Sequence, residues 1–192
     1  MKYCSMFFCF AWLSVLVMSC GESGSTNDKA HKATRNELKT AINEMEDSLK
    51  LMNMQKAVGA TFTLSQQELI NRLTNYYRNY PEDPFSAECL FKVQMAYSAL
   101  NAHKKSIAYG DTLLTKFPSY KNKYLAIESN IAALDVFIEP RDTAQIRKYY
   151  NMLLKDSNYP SNKKKEITRR LAFLHLTIFE YAALPQKDKT KK

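Results

Sequence analysis

The side chains best suited to covalent or metal chemistry in this chain are four cysteines and three histidines. They are scattered along the sequence as Cys4, Cys9, Cys20, Cys89, His31, His103 and His175. No His-x-x-x-His or Glu-x-x-His spacing is present, so the usual helical metal-ligand patterns are missing. The chain also lacks a Gly-x-Ser-x-Gly nucleophile motif, a Walker loop and a paired-cysteine motif. The sequence therefore predicts a protein that is not an enzyme and that uses no cofactor or metal ion.

One cysteine, Cys20, stands in a distinctive context. Lys2 precedes an apolar run over residues 6–17, and the sequence Val-Met-Ser then leads directly to Cys20. A basic residue, an apolar core and a small-residue cleavage site in this order are typical of an export signal. The segment resembles a bacterial lipoprotein signal, in which the cysteine receives a lipid. The resemblance implies a signal peptide over residues 1–19 and attachment of palmitate or a similar acyl chain at Cys20.

Two other interpretations of the first segment remain open, an ordinary secretory peptide and an uncleaved membrane anchor. The anchor is the weaker one, because the apolar run of twelve residues is shorter than the roughly 20 residues that a membrane-spanning helix takes. If Cys4 and Cys9 leave with the signal and Cys20 is acylated, Cys89 has no partner. We then expect Cys89 to be a small buried hydrophobic residue, and the exported domain to depend on its core rather than on disulfides.

Composition divides the rest of the chain into four predicted parts. Residues 20–30 are small and polar, as in a flexible tether. Residues 31–58 are expected to form a leading amphipathic helix, and residues 65–184 a helical repeat domain. Residues 185–192 are expected to form a basic, disordered tail.

Positive charge is concentrated near the end of the chain. The formal net charge is +9, and from Ser161 onward nine Lys or Arg residues stand against three Asp or Glu. A solvated helix face with a frayed tail explains this excess most simply, and contact with anionic lipid headgroups or an acidic partner is the functional alternative. Because an exported protein rarely meets nucleic acid, no nucleic-acid partner is expected.

The leading helix carries a narrow apolar seam. Its members are spaced alternately by four and three residues, and they are Leu38, Ile42, Met45, Leu49 and Met52. Such a seam suits either docking along the first repeat or pairing with another copy of the chain in a short coiled coil. Docking is favoured, because so short a coiled coil is marginal on its own.

Capping residues and prolines indicate where the following helices begin and end. The predicted starts are Ser65 with Glu68 in a capping-box spacing, Asp83 with Pro84, Ser119, Asp142 or Thr143, and Ser161. The predicted ends are Pro81, Pro118, Pro140, residues 156–160 and Leu184, with a connection over 61–64 before the first start. The resulting fold class is all-α, with three stacked antiparallel helix hairpins preceded by one long helix.

The hairpin over residues 90–118 resembles a tetratricopeptide repeat, a helix pair of about 34 residues. The residues that match the packing positions of that family are Leu90, Val93, Tyr97, Ser106, Leu113 and the closing Pro118. Gln94 and Gly110 depart from the family pattern. The resemblance covers about residues 65–155 and implies a TPR-like superhelix that takes part in protein–protein interaction.

In that family the first helix of each repeat lines a concave groove. The corresponding residues here are Glu88, Phe91, Met95 and Ser98, and the resemblance implies that they bind a protein partner. Phe91 and Met95 are unusually apolar for exposed positions. They indicate either a peptide-binding surface or cover by the next hairpin or the leading helix.

The segment over residues 80–91 is similar to repeats of envelope lipoproteins of the outer-membrane assembly lipoprotein and TolA-binding protein type. The similarity implies a periplasmic scaffold in the bacterial cell envelope, held by a lipid, with the outer membrane as the favoured location. We therefore expect a non-catalytic adaptor that binds another envelope protein. A self-associating structural lipoprotein is one alternative, and an enzyme or ligand carrier with a cleft between hairpins is the other. No motif specifies the partner or the oligomeric state.

Overall fold

The computed structural model describes residues 33–56 and 59–185, and all regular structure in these ranges is helical. The α-helices are α1 (Arg35–Met54), α2 (Ala60–Asn79), α3 (Pro84–Ala99), α4 (His103–Lys116), α5 (Lys123–Ala132), α6 (Thr143–Lys155), α7 (Ser161–Ala172) and α8 (Ile178–Ala183). A π-helical turn, Ala133–Phe137, follows α5 directly. The predicted all-α class is confirmed. The predicted signal peptide, tether and lipidated Cys20 lie outside the described residues, as do residues 186–192 of the predicted tail.

Each helix from α1 to α6 packs against the next one along the chain, which is the arrangement that consecutive hairpins require. The buried side chains form three core clusters. The first joins α1, α2 and α3 and consists of Ile42, Ile70, Leu73, Tyr76, Cys89 and Val93. The second joins α3, α4 and α5 and consists of Ala87, Leu90, Leu113 and Ala126. The third joins α4 to α7 and consists of Ile107, Ile127, Ile131, Ala133, Leu134, Ile146, Tyr149, Leu153, Tyr159, Ile167 and Leu174.

The leading helix begins with a capping box, in which the Thr34 hydroxyl accepts from the Glu37 amide. It is shorter at both ends than the predicted range. Ile42 is fully buried in the first core cluster, so the inner part of the apolar seam docks on α2 and α3. Leu51 and Met54 near the other end are 58% and 72% exposed. Docking within the chain thus buries Ile42 fully and leaves the seam residues Met45, Leu49 and Met52 half-buried, whereas Leu51 and Met54 lie outside the seam.

The predicted start of the second helix at Ser65 is wrong. Helix α2 begins at Ala60, so residues 61–64 are helical and Ser65 lies inside the helix. Gly59 makes the turn with a φ of +98°, which an L side chain rarely adopts. The Thr63 hydroxyl donates to the Gly59 carbonyl at 3.2 Å. Because no residue from 60 to 64 breaks a helix, the chain becomes helical directly after the glycine.

Three predicted starts are confirmed by their hydrogen bonds or bounds. The Asp83 carboxylate accepts from the Phe85 amide at 2.8 Å, with Pro84 as the first residue of α3. The Asp142 carboxylate accepts from the Gln145 amide at 2.8 Å at the start of α6. Helix α7 begins at Ser161 as expected, although its cap residue is the proline before it and makes no side-chain hydrogen bond.

The predicted start at Ser119 is wrong, because residues between α4 and α5 form turns of their own. The Tyr120 amide donates to the Phe117 carbonyl at 3.0 Å, and the Lys123 amide donates to the Tyr120 carbonyl at 3.1 Å. Helix α5 therefore begins only at Lys123. This displacement brings Tyr120 into contact with α3, as described below.

The predicted last helix over 161–184 is in fact two helices, so seven α-helices follow α1 in the described ranges instead of six. Helix α7 ends at Ala172 and α8 begins at Ile178. A second capping box starts α8, with the Glu180 amide donating to the Thr177 hydroxyl at 3.2 Å. Arg170 stabilises the segment between α7 and α8, because its Nη1 donates to the Phe173 carbonyl at 2.8 Å.

The two residues that depart from the repeat pattern, Gln94 and Gly110, lie at a close approach of α3, α4 and α5. A Cβ placed on Gly110 would come within 2.7 Å of Gln94 Nε2 and of Asn130 Oδ1. Gln94 Nε2 donates to Asn130 Oδ1 at 2.8 Å and to the Ala126 carbonyl at 2.9 Å. Asn130 Nδ2 in turn donates to the hydroxyl of Tyr149 on α6 at 3.1 Å. The amides of Gln94 and Asn130 thus occupy the space that a side chain at position 110 would need.

Candidate functional site

The four residues expected to bind a partner lie on one face of α3. Glu88, Phe91, Met95 and Ser98 follow one another at intervals of three or four residues, which places them along one side of a helix. All four are half-buried. The face is therefore neither a closed part of the core nor fully open to solvent.

The connection between α4 and α5 covers the first half of this face. The ring of Tyr120 lies 5.7 Å from the ring of Phe91, measured between centroids. The Tyr120 hydroxyl donates to Glu88 Oε2 at 2.8 Å, and Lys121 Nζ lies 3.5 Å from the same oxygen. Burial and the neighbouring carboxylate raise the pKa of Tyr120 well above its usual range. The cover expected for Phe91 thus comes from the segment that leads into the next hairpin.

Beside this contact runs a groove of about 820 Å³, between the first half of α3 and the same connection. Its lining residues are Pro84, Phe85, Ala87, Glu88, Lys92, Phe117, Pro118, Ser119, Tyr120 and Lys121. Lys92 Nζ pairs with Glu46 on α1 at 2.7 Å, whereas the Lys121 side chain is 73% exposed. Aromatic and proline surfaces with lysines nearby suit an extended apolar segment better than a small polar substrate.

Asp83 anchors the end of this groove to the leading helix. Arg35 Nη1 lies 3.0 Å from its Oδ2, and Lys39 Nζ lies 3.8 Å from its Oδ1. Burial alone would raise the pKa of Asp83. The hydrogen bond from the Phe85 amide and the nearby Lys39 and Arg35 cations instead hold that pKa below its usual value. The site is therefore built on a charged, acid-sensitive joint between α1 and α3.

In the described ranges, Cys89 and His103 pack against other side chains of the helical domain. Cys89 is fully buried in the first core cluster, as expected, and burial raises the pKa of its thiol to about 12. The ring of His103 stacks on Phe137 at 4.2 Å between centroids, whereas His175 is exposed. Within residues 33–56 and 59–185, no group of three or more His, Cys, Asp or Glu is placed to hold a metal ion.

A buried charge cluster around Asp135 was not found from the sequence. Its carboxylate accepts from Arg141 Nε at 2.5 Å and from Arg170 Nη2 at 3.0 Å. The same arginines donate to the carbonyls of Leu174 and Leu176, both at 2.8 Å. The signal that could have revealed it is a carboxylate within an apolar helical segment, because a buried acid needs a cation as partner.

Beside this cluster the third core contains a cavity of about 320 Å³. It is lined by Glu128, Ile131, Ala132, Asp135, Val136, Tyr150, Leu153, Tyr159, Lys163, Glu166, Ile167 and Ile178. No residue of this cavity belongs to the groove beside α3. These two concave regions are therefore separate, and only the groove includes a residue, Glu88, of the face predicted from the sequence.

Comparisons with known proteins do not extend this description: no family model, curated protein or solved structure matches the chain. In the part of the chain that the structure describes, every helix is too short or too polar to cross a membrane.

Proposed function

We propose that this protein is a lipid-anchored adaptor of the bacterial cell envelope, with a TPR-like helical domain that binds another envelope protein. The observation that carries the proposal is the half-buried face of α3 next to an apolar groove of about 820 Å³. Surfaces of this kind recognise extended or helical segments of partner proteins. Acylation at Cys20, expected from the sequence, would hold this surface near a membrane, with the outer membrane as the favoured site.

Met95 and Ser98 are the best positions for testing the docking surface. They lie on the later half of the α3 face, whereas Phe91 packs on Tyr120 and Glu88 accepts its hydroxyl. Replacing Phe91 would mix a loss of folding with a loss of binding. The photocrosslinking amino acid p-benzoyl-phenylalanine should therefore replace Met95 or Ser98 in the native cell, with exposed Lys148 on α6 as the control position.

The proposal predicts that positions 95 and 98 crosslink to the same second polypeptide and that position 148 does not. A further Met95→Lys substitution should weaken the crosslink from position 98, because a charge would then enter an apolar contact. Crosslinks from position 148 alone, or no crosslink from any position, would contradict the docking surface. Mass spectrometry of the crosslinked product identifies the partner.

The lipid anchor has a separate test. Cys20→Ala should move the protein from the membrane fraction into the soluble periplasmic fraction, because the acyl chain would have no attachment atom. Retention of the variant in membranes would favour the uncleaved anchor instead.

Self-association is the second candidate function, favoured by the exposed Leu51 and Met54 on α1. Apolar residues at the exposed end of a helix can pair with a second copy. Sedimentation of the wild type and of a Leu51→Ser, Met54→Ser variant separates the candidates. Concentration-dependent dimers that the variant loses would support self-association, whereas a monomer throughout would exclude it.

A further inference from the structure

The cavity beside the third core cluster is a cleft that is partly open to solvent, since Ala132, Lys163 and Glu166 in its wall are exposed. Its volume of about 320 Å³ lies within the range of small-molecule pockets. Its side walls are formed by α5, α6 and α7, and α8 contributes Ile178. Most of the wall is aliphatic or aromatic, with Ile131, Leu153, Tyr159 and Ile167 all buried. Such walls favour apolar contents over water.

The π-helical turn Ala133–Phe137 supplies one side of the cavity. Asp135 and Val136 belong to this turn and line the space. A π-helical turn interrupts the regular spacing of an α-helix and occurs frequently at functional sites. Here it also directs Asp135 toward Arg141 and Arg170, whose hydrogen bonds hold the chain between α7 and α8. The cavity wall is therefore held by specific polar contacts rather than by loose packing.

The two inner acidic groups in the cavity wall, Glu128 and Asp135, already have cationic or hydroxyl partners. Glu128 Oε1 accepts from the Tyr159 hydroxyl at 2.7 Å and from Lys163 Nζ at 2.8 Å. Asp135 is paired with Arg170 at 3.0 Å. Glu166 lies at the exposed surface of α7. Because the inner carboxylates are neutralised within the protein, a charged ligand would lose its hydration without gaining a new counter-charge.

From the apolar walls, the π-helical turn and the neutralised acids, we propose that this cavity binds a small, neutral, apolar molecule. A dry cavity of about 150 Å³ accommodates benzene, so the present volume suits a molecule of about ten carbon atoms. Ile178 and the exposed Ala132 lie in the wall as well, and the ligand would contact them. This binding site is independent of the docking surface on α3, so either proposal can fail alone.

The probe is 2-naphthol, a neutral ten-carbon molecule, and 2-naphthoate is its charged counterpart. Titration of the purified protein should show saturable binding of one 2-naphthol per chain, with a denaturation midpoint that rises with probe concentration. We expect 2-naphthoate to bind at least about tenfold more weakly, since its carboxylate must lose water. Absence of saturable 2-naphthol binding, or equal or tighter binding of 2-naphthoate, would overturn the proposal.

Substitution at Ala132 locates the site. Ala132→Phe should fill the cavity from its exposed edge and raise the Kd by about tenfold or more, whereas Ala108→Phe, at an exposed position on α4 outside the cavity, should leave it unchanged. Equal binding by both variants would contradict the assignment.

NMR spectroscopy of the wild-type protein gives a second test, which does not depend on whether Ala132→Phe folds. Intermolecular NMR contacts from 2-naphthol should reach the methyl groups of Ile131, Ile167 and Ile178. Contacts confined to other methyl groups would also overturn the proposal.

Discussion

Gly110 is the position where a single added carbon has the most specific predicted consequence. In an open helix, Gly110→Ala would stabilise the protein by about 1 kcal/mol, because alanine has the higher helix propensity. Here the new Cβ would lie 2.7 Å from Gln94 Nε2 and from Asn130 Oδ1. Both amides are fully buried, and each is also hydrogen-bonded elsewhere, to the Ala126 carbonyl and to the Tyr149 hydroxyl respectively. They cannot move aside without losing hydrogen bonds.

The expected net effect follows from the sizes of the opposing contributions. Each buried amide group left without its partner costs about 1–3 kcal/mol, and overpacking adds about 1–3 kcal/mol. If one of the two amides loses its partner, subtraction of the gain in helix propensity leaves a destabilisation of about 1–5 kcal/mol for Gly110→Ala. For a chain of this size each kcal/mol lowers the denaturation midpoint by about 2–4 °C, so a decrease of at least about 2 °C is expected.

Thermal and urea denaturation followed by circular dichroism measure this effect. Ala108→Gly, at an exposed position on the same helix, calibrates helix propensity alone and should cost about 1 kcal/mol. In an Asn130→Ala background the cost of Gly110→Ala should be smaller, since one of the two obstructing amides is gone. A Gly110→Ala variant as stable as the wild type would refute the reasoning, as would an equal cost in both backgrounds.

Three further predictions concern buried polar groups. Asp135→Asn should destabilise the protein by about 3–5 kcal/mol in urea denaturation, because two buried guanidinium groups lose their counter-charge; Asp47→Asn, at an exposed position on α1, should change stability by less than about 0.5 kcal/mol. Equal effects of these two variants would contradict the buried cluster. Because the pKa of Asp83 is lowered in the folded state, its ionised form contributes stability above the unfolded pKa of about 3.9, and that contribution is lost as pH falls. Asp83→Asn should therefore be less stable than the wild type at pH 7, with the gap closing below about pH 4; a pH-independent gap would refute the linkage. Cys89, with its pKa raised to about 12, should react with iodoacetamide only on unfolding, and peptide mapping should show no label on native protein; rapid native labelling would contradict its burial.

Prediction from sequence succeeded where the determining interactions are local. The Asp83 cap and its proline act over three residues, and the Asp142 cap acts over four. Their free energy depends on side chains and amides that are neighbours in sequence, so the pattern is sufficient. The face over Glu88 to Ser98 was expected from the resemblance to a repeat family, and its residues lie on one side of α3 because their spacing is helical. Whether this face binds a protein stays a prediction.

Sequence patterns failed in two cases, where another residue started the helix before the predicted cap and where residues distant in the chain end a helix. Ser65 and Glu68 have capping-box spacing, but the turn at Gly59 started the helix earlier. The break between α7 and α8 depends on arginines, one of which lies about thirty residues earlier in the chain and packs there only in the folded state. The arginine hydrogen bonds favour this break, because they supply donors to the Leu174 and Leu176 carbonyl groups between the two helices.

By itself, the sequence determined the helical class, the confirmed caps and the burial of Cys89, because apolar spacing and capping are properties of short segments. It also contains a segment that resembles a lipoprotein signal, and acylation at Cys20 stays a prediction. Only the tertiary structure decided that Asp135 pairs with Arg170 across 35 residues, and that Gln94 and Asn130 meet over Gly110. The physical reason is that burial, charge pairing and close packing are energies of groups brought together in space.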